Sequence, residues 1–186
     1  MPLTNTQKVA IVSLFTALAL ATDYAMLPLT NIKLMDTIVF VSSLVFGLSI
    51  GVSTGALIWL VYGSVNPYGS AFGLLLVVLI LSETVYAFLG SLARRTFNPQ
   101  KTDLASRSLY WGSLGLIGAF VYDLNTIITP AVIAGIPFEV AIVSLLPTIP
   151  FMLAHEISDF AFFAIAGPIL VKAIFKVIKP RNIMIR

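Results

Sequence analysis

The sequence predicts an all-α integral membrane protein, a bundle of six transmembrane helices with both termini in the cytoplasm. Three observations carry this. Of the 186 residues, 59% are hydrophobic and only 10% charged, with a mean hydropathy of +1.01. Soluble domains carry about 25% charged residues, so this chain cannot cover a water-facing surface. A soluble enzyme, a disordered chain and a nucleic-acid-binding domain are excluded. Second, no charged side chain occurs from Thr37 to Ser82, far beyond the ~18 apolar residues that suggest a spanning helix. Third, ten of the eleven basic residues fall in three clusters, around Lys8, around Arg94–Arg107 and from Lys172 to Arg186. Basic residues favour the cytoplasmic side, so an even number of spans must separate each pair of clusters.

The elements follow in order within a single membrane domain, residues 1–186. The first apolar stretch is too long for a cleavable signal and lacks a small-residue cleavage site. It reads as a span over 7–27, ended by Pro28. Residues 36–63 could form one long span or two short ones. An even count between Lys8 and Arg94 requires two, so spans 36–46 and 51–62 are expected to turn at Gly47–Gly51. A clear span covers 70–92. After the Arg94–Arg107 loop, a span over 108–122 leaves the basic side and an outer loop covers Asp123–Pro137. Residues 138–146, bounded by prolines that interrupt helices, form a short re-entrant or interfacial helix. The return span is 151–171. The chain has no cysteine, which excludes disulfides and thiolate metal sites.

Ala17, Ala21 and Ala25 form a small-xxx-small stripe on the first helix, which lets a second helix approach closely. The spacing fits packing within the bundle equally well. Gly47, Gly51 and Gly55 are assigned structural roles in the turn and in close backbone contact. Asp23, Glu83, Glu156 and Asp159 lie inside spans, where an isolated charge costs at least ~2.5 kcal/mol. Such acids pair internally, face a cavity or bind something. Glu83 is read as a structural acid accepting a hydrogen bond from Tyr86. His155, the only histidine, shares a helical face with Asp159. His155–Asp159 resembles half of a zinc-binding His-Glu-x-x-His helix, but the second histidine is missing, so no metal ligand is assigned. On the outer side, the turn Asn66–Gly69 follows Trp59 and Tyr62, and the opposite loop carries Tyr122, Asp123, Asn125 and Thr126. An interfacial aromatic belt would explain these residues. Asp36, Asp123 and Glu139, balanced only by Lys33, point instead to an outer cavity for a cationic or polar, partly aromatic solute.

With these residues in view, the chain resembles the substrate-binding membrane subunits (S components) of energy-coupling factor transporters, a class of ABC importer. Ala17-x-x-x-Ala21 is similar to the alanine motif by which that family docks on its transmembrane coupling subunit. Asn31–Asp36 and Phe46-Gly47-x-x-x-Gly51-x-x-x-Gly55 are similar to the family's first loop and glycine-rich second and third helices. The similarity is clearest over residues 8–92. It implies a multi-pass protein of a prokaryotic plasma membrane that captures a vitamin, cofactor precursor or similar solute near its outer face. The implied solute-binding residues are Asn66, Tyr68, Tyr122, Asp123, Asn125, His155, Glu156 and Asp159. Ala17, Ala21 and Ala25 would dock on the coupling subunit. The implied partners are the solute, that subunit, two ATPases and membrane lipid, with no nucleic acid. No phosphate-binding loop occurs, so ATP would be used by the partner ATPases and no cofactor is expected on this chain. It is expected not to be an enzyme. Two alternatives stay open: a small membrane enzyme using Glu83, His155, Glu156 and Asp159, and a structural membrane protein with internally paired acids.

Overall fold

The computed structural model describes residues 3–96 and 103–178. Lys101, Lys179, Arg181 and Arg186, which contribute to the charge count, lie outside those residues. Among the described residues every regular element is helical. α1 (Asn5–Ala25) starts at Thr4, whose hydroxyl accepts from the Gln7 N–H while the Gln7 side chain accepts from the Thr4 N–H, a reciprocal capping box. α2 (Met35–Phe46) and α3 (Leu48–Tyr62) form a hairpin, followed by α4 (Gly73–Thr96) and α5 (Leu104–Ile133). A short α6 (Phe138–Val143) and a 3₁₀ turn (Leu146–Thr148) lead directly into α7 (Ile149–Val177). α1, α4, α5 and the run from α6 through α7 are long and apolar enough to cross a membrane, while α2 and α3 are shorter apolar helices. The exterior carries the residues that suit hydrocarbon, among them Leu14, Leu81, Phe88, Ile117, Ile157 and Ile165.

Several boundaries differ from the sequence reading: α1 and α4 are shifted by two to four residues, α5 starts at Leu104 rather than Ser108, α7 runs to Val177 rather than Val171, and three further changes bear on the packing. The hairpin turn is confined to Gly47, so α3 starts at Leu48 rather than Gly51. At φ +102° Gly47 holds a left-handed backbone that a β-carbon disfavours, and one such residue suffices for the reversal. The short helix ends at Val143. The largest change is in α5, which runs to Ile133, so Tyr122, Asp123, Asn125 and Thr126 lie in a helix and the loop shrinks to residues 134–137. Asp123 had been taken to mark water. It is buried instead, and the Thr126 hydroxyl bonds back to the carbonyls of Tyr122 and Asp123. Pro130 sits inside the helix without ending it.

α2 is the central post, buried at every position except Leu44 and Phe46. α3, α4, α7 and α1 surround it. Its serines are satisfied locally or across the bundle: Ser42 donates to the Val39 carbonyl at 2.8 Å, Ser43 to the Ala87 carbonyl at 2.6 Å. Toward Gly47 the interior is apolar and aromatic, with Phe40 packed on Phe163 (centroids 4.7 Å apart) and edge-on to Trp111 (5.7 Å). Toward Asn66 it turns polar.

A buried polar cluster beneath a cavity

His155 organises that polar end. It sits on the inner face of α7 with no exposed surface. Its Nδ1 lies 3.0 Å from Oδ1 of Asp123 on α5, and its Nε2 lies 3.0 Å from Oδ2 of Asp36 at the start of α2. One turn further along α7, Oδ2 of Asp159 is 3.8 Å from the same Nε2. The Tyr86 hydroxyl on α4 approaches it at 3.4 Å. Four helices thus contribute to one buried imidazole. Burying a charged or polar side chain is costly unless it is paired, and here the pairing couples helices far apart in sequence.

A second carboxyl stands beside this group. Glu83 on α4 is fully buried and accepts a hydrogen bond from the Trp59 indole N–H at 3.0 Å. The expected donor was Tyr86. Tyr86 instead turns toward His155, and Trp59 reaches Glu83 from α3 because Gly55 brings α3 close to α4. A β-carbon on Gly55 would lie 2.8 Å from Glu83 Cγ, and one on Gly51 would lie 2.5 Å from Ser43 Cβ.

Above the cluster a cavity of about 250 Å³ opens at the Asn66 end. Asp23, Asn31 and Lys33 line it from α1 and the following loop; Trp59, Tyr62, Asn66 and Tyr68 line it from α3 and the loop beyond. The two loops are clasped over it. The Tyr68 hydroxyl donates to the Leu27 carbonyl at 2.6 Å, Tyr24 to Val65 at 3.3 Å, and the Asn31 amide to the Phe151 carbonyl at 2.9 Å. Lys33 points inward, its Nζ 5.3 Å from the Trp59 ring centroid and 5.8 Å from that of Tyr122. This is cation–π range. Tyr122 in turn stacks on Trp59 and meets His155 edge-on at 5.7 Å. A continuous path of rings joins the cavity to the buried imidazole.

The expected site residues divide on this geometry. Tyr122, Asp123, His155 and Asp159 come together in the cluster, and Asn66 and Tyr68 line the cavity. Asn125 does not join them. It donates to the Ser82 hydroxyl at 2.6 Å and accepts from Thr129, clipping α5 to α4. Glu156 is half-buried beside the cluster and, among the described residues, makes no hydrogen bond. Sequence reasoning noted Asp36, Lys33, Asp23 and Trp59 but assigned none of them to solute binding. Ala17, Ala21 and Ala25 are all exposed on the outside of α1, while Phe15, Thr16, Ala19 and Asp23 face inward.

Chemically the site is rich in acceptors. Asp23, Asp36, Glu83, Asp123 and Asp159 are all buried, and Lys33 and His155 are the basic side chains beside them. Among the described residues, neither oxygen of Asp23 or of Asp159 has a hydrogen-bond partner within 3.5 Å. Such a site attracts cations and groups that donate hydrogen bonds. Compared with protein families, curated proteins and solved structures, the chain matches none.

Proposed function

We propose that this chain is the solute-capture subunit of an importer of the energy-coupling factor type. On this reading it crosses a prokaryotic plasma membrane six times, with the Asn66 end outside and both termini in the cytoplasm. It takes up a small polar or cationic solute, such as a vitamin or cofactor precursor, and a coupling subunit driven by two ATPases completes the import. The observation that carries the reading is the aromatic-walled cavity at one end of an apolar bundle, lined by Asp23 and Lys33, spanned by two clasped loops and joined through Trp59 to the buried acid cluster. Concave sites with apolar walls and a few convergent polar groups are the usual form of a small-molecule site. The exposed alanine stripe supports the same reading. Small residues bring helices into close contact, and with all three alanines facing outward the helix they would admit belongs to another chain.

Native mass spectrometry of the purified protein identifies the solute. Ala17→Phe and Ala21→Phe should then abolish uptake into cells or proteoliposomes while leaving solute affinity unchanged. Equal loss of binding and uptake, or uptake indifferent to both changes, would sink the proposal.

A further inference from the structure

We propose that Asp36, His155 and Asp159 form a binding site for one divalent transition-metal cation such as zinc or cobalt. The proposal goes beyond solute capture and does not rest on it. One ligand atom from each residue lies within 4.8 Å of the other two. From His155 Nε2 the carboxylate oxygens stand at 3.0 Å (Asp36) and 3.8 Å (Asp159). With metal–nitrogen and metal–oxygen bonds of about 2.0–2.2 Å, two donors on a tetrahedral ion stand roughly 3.4 Å apart. The observed separations bracket that value, so small side-chain adjustments seat an ion.

A second observation points to the same ligand. Asp159 is completely buried, and among the described residues neither of its oxygens has a hydrogen-bond partner within 3.5 Å, the imidazole standing 3.8 Å from Oδ2. A buried carboxyl with no closer partner than a 3.8 Å contact needs an explanation, and an ion is one of the few. A single ring nitrogen carries at most one hydrogen, so Nε2 cannot satisfy both carboxylates, whereas a cation between them satisfies all three. Asp123 supplies the supporting contact. With the ring hydrogen on Nδ1 donated to its Oδ1, 3.0 Å away, the Nε2 lone pair would face Asp36 and Asp159 and be free to bind the ion. Metal-bound histidines almost always have such an outer partner. One imidazole and two carboxylates, without sulfur, suit zinc, manganese, iron or cobalt better than magnesium or calcium, which take oxygen donors. The motif on α7 lacks its second histidine, but the third ligand comes from Asp36, 119 residues away in sequence.

The test is a cobalt titration of untagged protein, stripped with a chelator and followed by visible absorption and metal analysis. The chain contains no cysteine, so thiolate binding cannot imitate the signal. The expected result is one equivalent of Co²⁺ with the absorption of a low-coordinate nitrogen–oxygen site, displaced by Zn²⁺ and not by Mg²⁺. Asp159→Asn and His155→Gln should each weaken binding at least tenfold. Asp123→Asn should weaken it about 10–100-fold while keeping the stoichiometry. Absence of saturable one-to-one binding by the wild-type protein overturns the assignment, whatever the variants do. So does unchanged affinity in folded Asp159→Asn. Metal binding without solute uptake would leave this site standing and refute the transport reading; uptake without metal binding would do the reverse.

Discussion

Gly90 is the position where the packing of the bundle can be tested most sharply. A β-carbon there would lie 2.3 Å from the Phe40 carbonyl oxygen, 3.0 Å from Ser43 Cβ and 3.1 Å from the Leu44 nitrogen. Two of these three atoms belong to the backbone of α2, so no rotamer change relieves the contact. Ordinary contact begins near 3.4 Å, so α2 and α4 must separate by roughly 1 Å. Overpacking of this kind costs about 1–3 kcal/mol, or roughly 5- to 150-fold in the unfolding equilibrium. The movement should also be felt elsewhere. Asp36 lies one turn before Phe40, and a 3.0 Å contact with His155 cannot absorb such a shift unchanged. Gly90→Ala is therefore expected to lower the midpoint of unfolding in mixed detergent micelles and to weaken whatever the His155 cluster binds. Ser43→Ala removes only the hydroxyl that bonds the Ala87 carbonyl and should cost about 0.5–1.5 kcal/mol. Gly90→Ala as stable as the wild type would show that α2 and α4 do not touch as described.

Two further outcomes follow from particular side chains. Trp59→Phe keeps an aromatic wall on the cavity but removes the one hydrogen bond that Glu83 accepts among the described residues. It should destabilise the protein by about 1–3 kcal/mol, and by clearly less in a Glu83→Leu background, because an orphaned buried acceptor is what costs; equal costs in both backgrounds would deny the contact. At the start of α5, the Asp103 carboxylate accepts from the Ser106 N–H at 2.9 Å, which holds its pKa below the usual carboxylate value. Its support for the helix is therefore complete above the ordinary carboxylate range and lost as pH falls through the lowered value. Hydrogen exchange at Ser106 should be faster in Asp103→Ala than in wild type at neutral pH, and the difference should shrink in acid. A pH-independent difference would mean the cap is not ionic.

Much of the helical layout was legible because hydropathy alone demands it. The apolar runs that became α1, α2, α3 and α4 were read within four residues of their ends, α7 was placed but read six residues short at its C-terminal end, and positive-inside parity split α2 from α3. The charged residues misled, for a physical reason. A charge near the end of an apolar run ordinarily marks water, so Asp123 was placed in a loop, while Asp36 and Lys33 were read only as outer-face charges. The side chains of all three turn inward because their partners come from remote helices. His155 takes both aspartates, and Lys33 lies over the rings of Trp59 and Tyr122. Local spacing cannot reveal a contact between positions 119 residues apart. One signal was available: several acids in so apolar a chain, with a single histidine, left that histidine as the obvious meeting point.

The buried central helix has a consequence for how the chain is made. α2 has 12 residues, about 18 Å of helix, against a hydrocarbon layer of about 30 Å. It carries Asp36, Thr37, Ser42 and Ser43, and it is too short to enter the bilayer alone. It must enter joined to α3 through Gly47, as a unit. Synthesis proceeds from the N-terminus, so this hairpin is in place before α4, α5 and α7 exist to cover it. Asp36 then waits in the membrane for His155, which emerges 119 residues later. Until α7 arrives, that carboxyl lacks the imidazole partner it has in the finished bundle. The half-made chain is the most vulnerable form of this protein, and the arrival of α7 makes the central post safe.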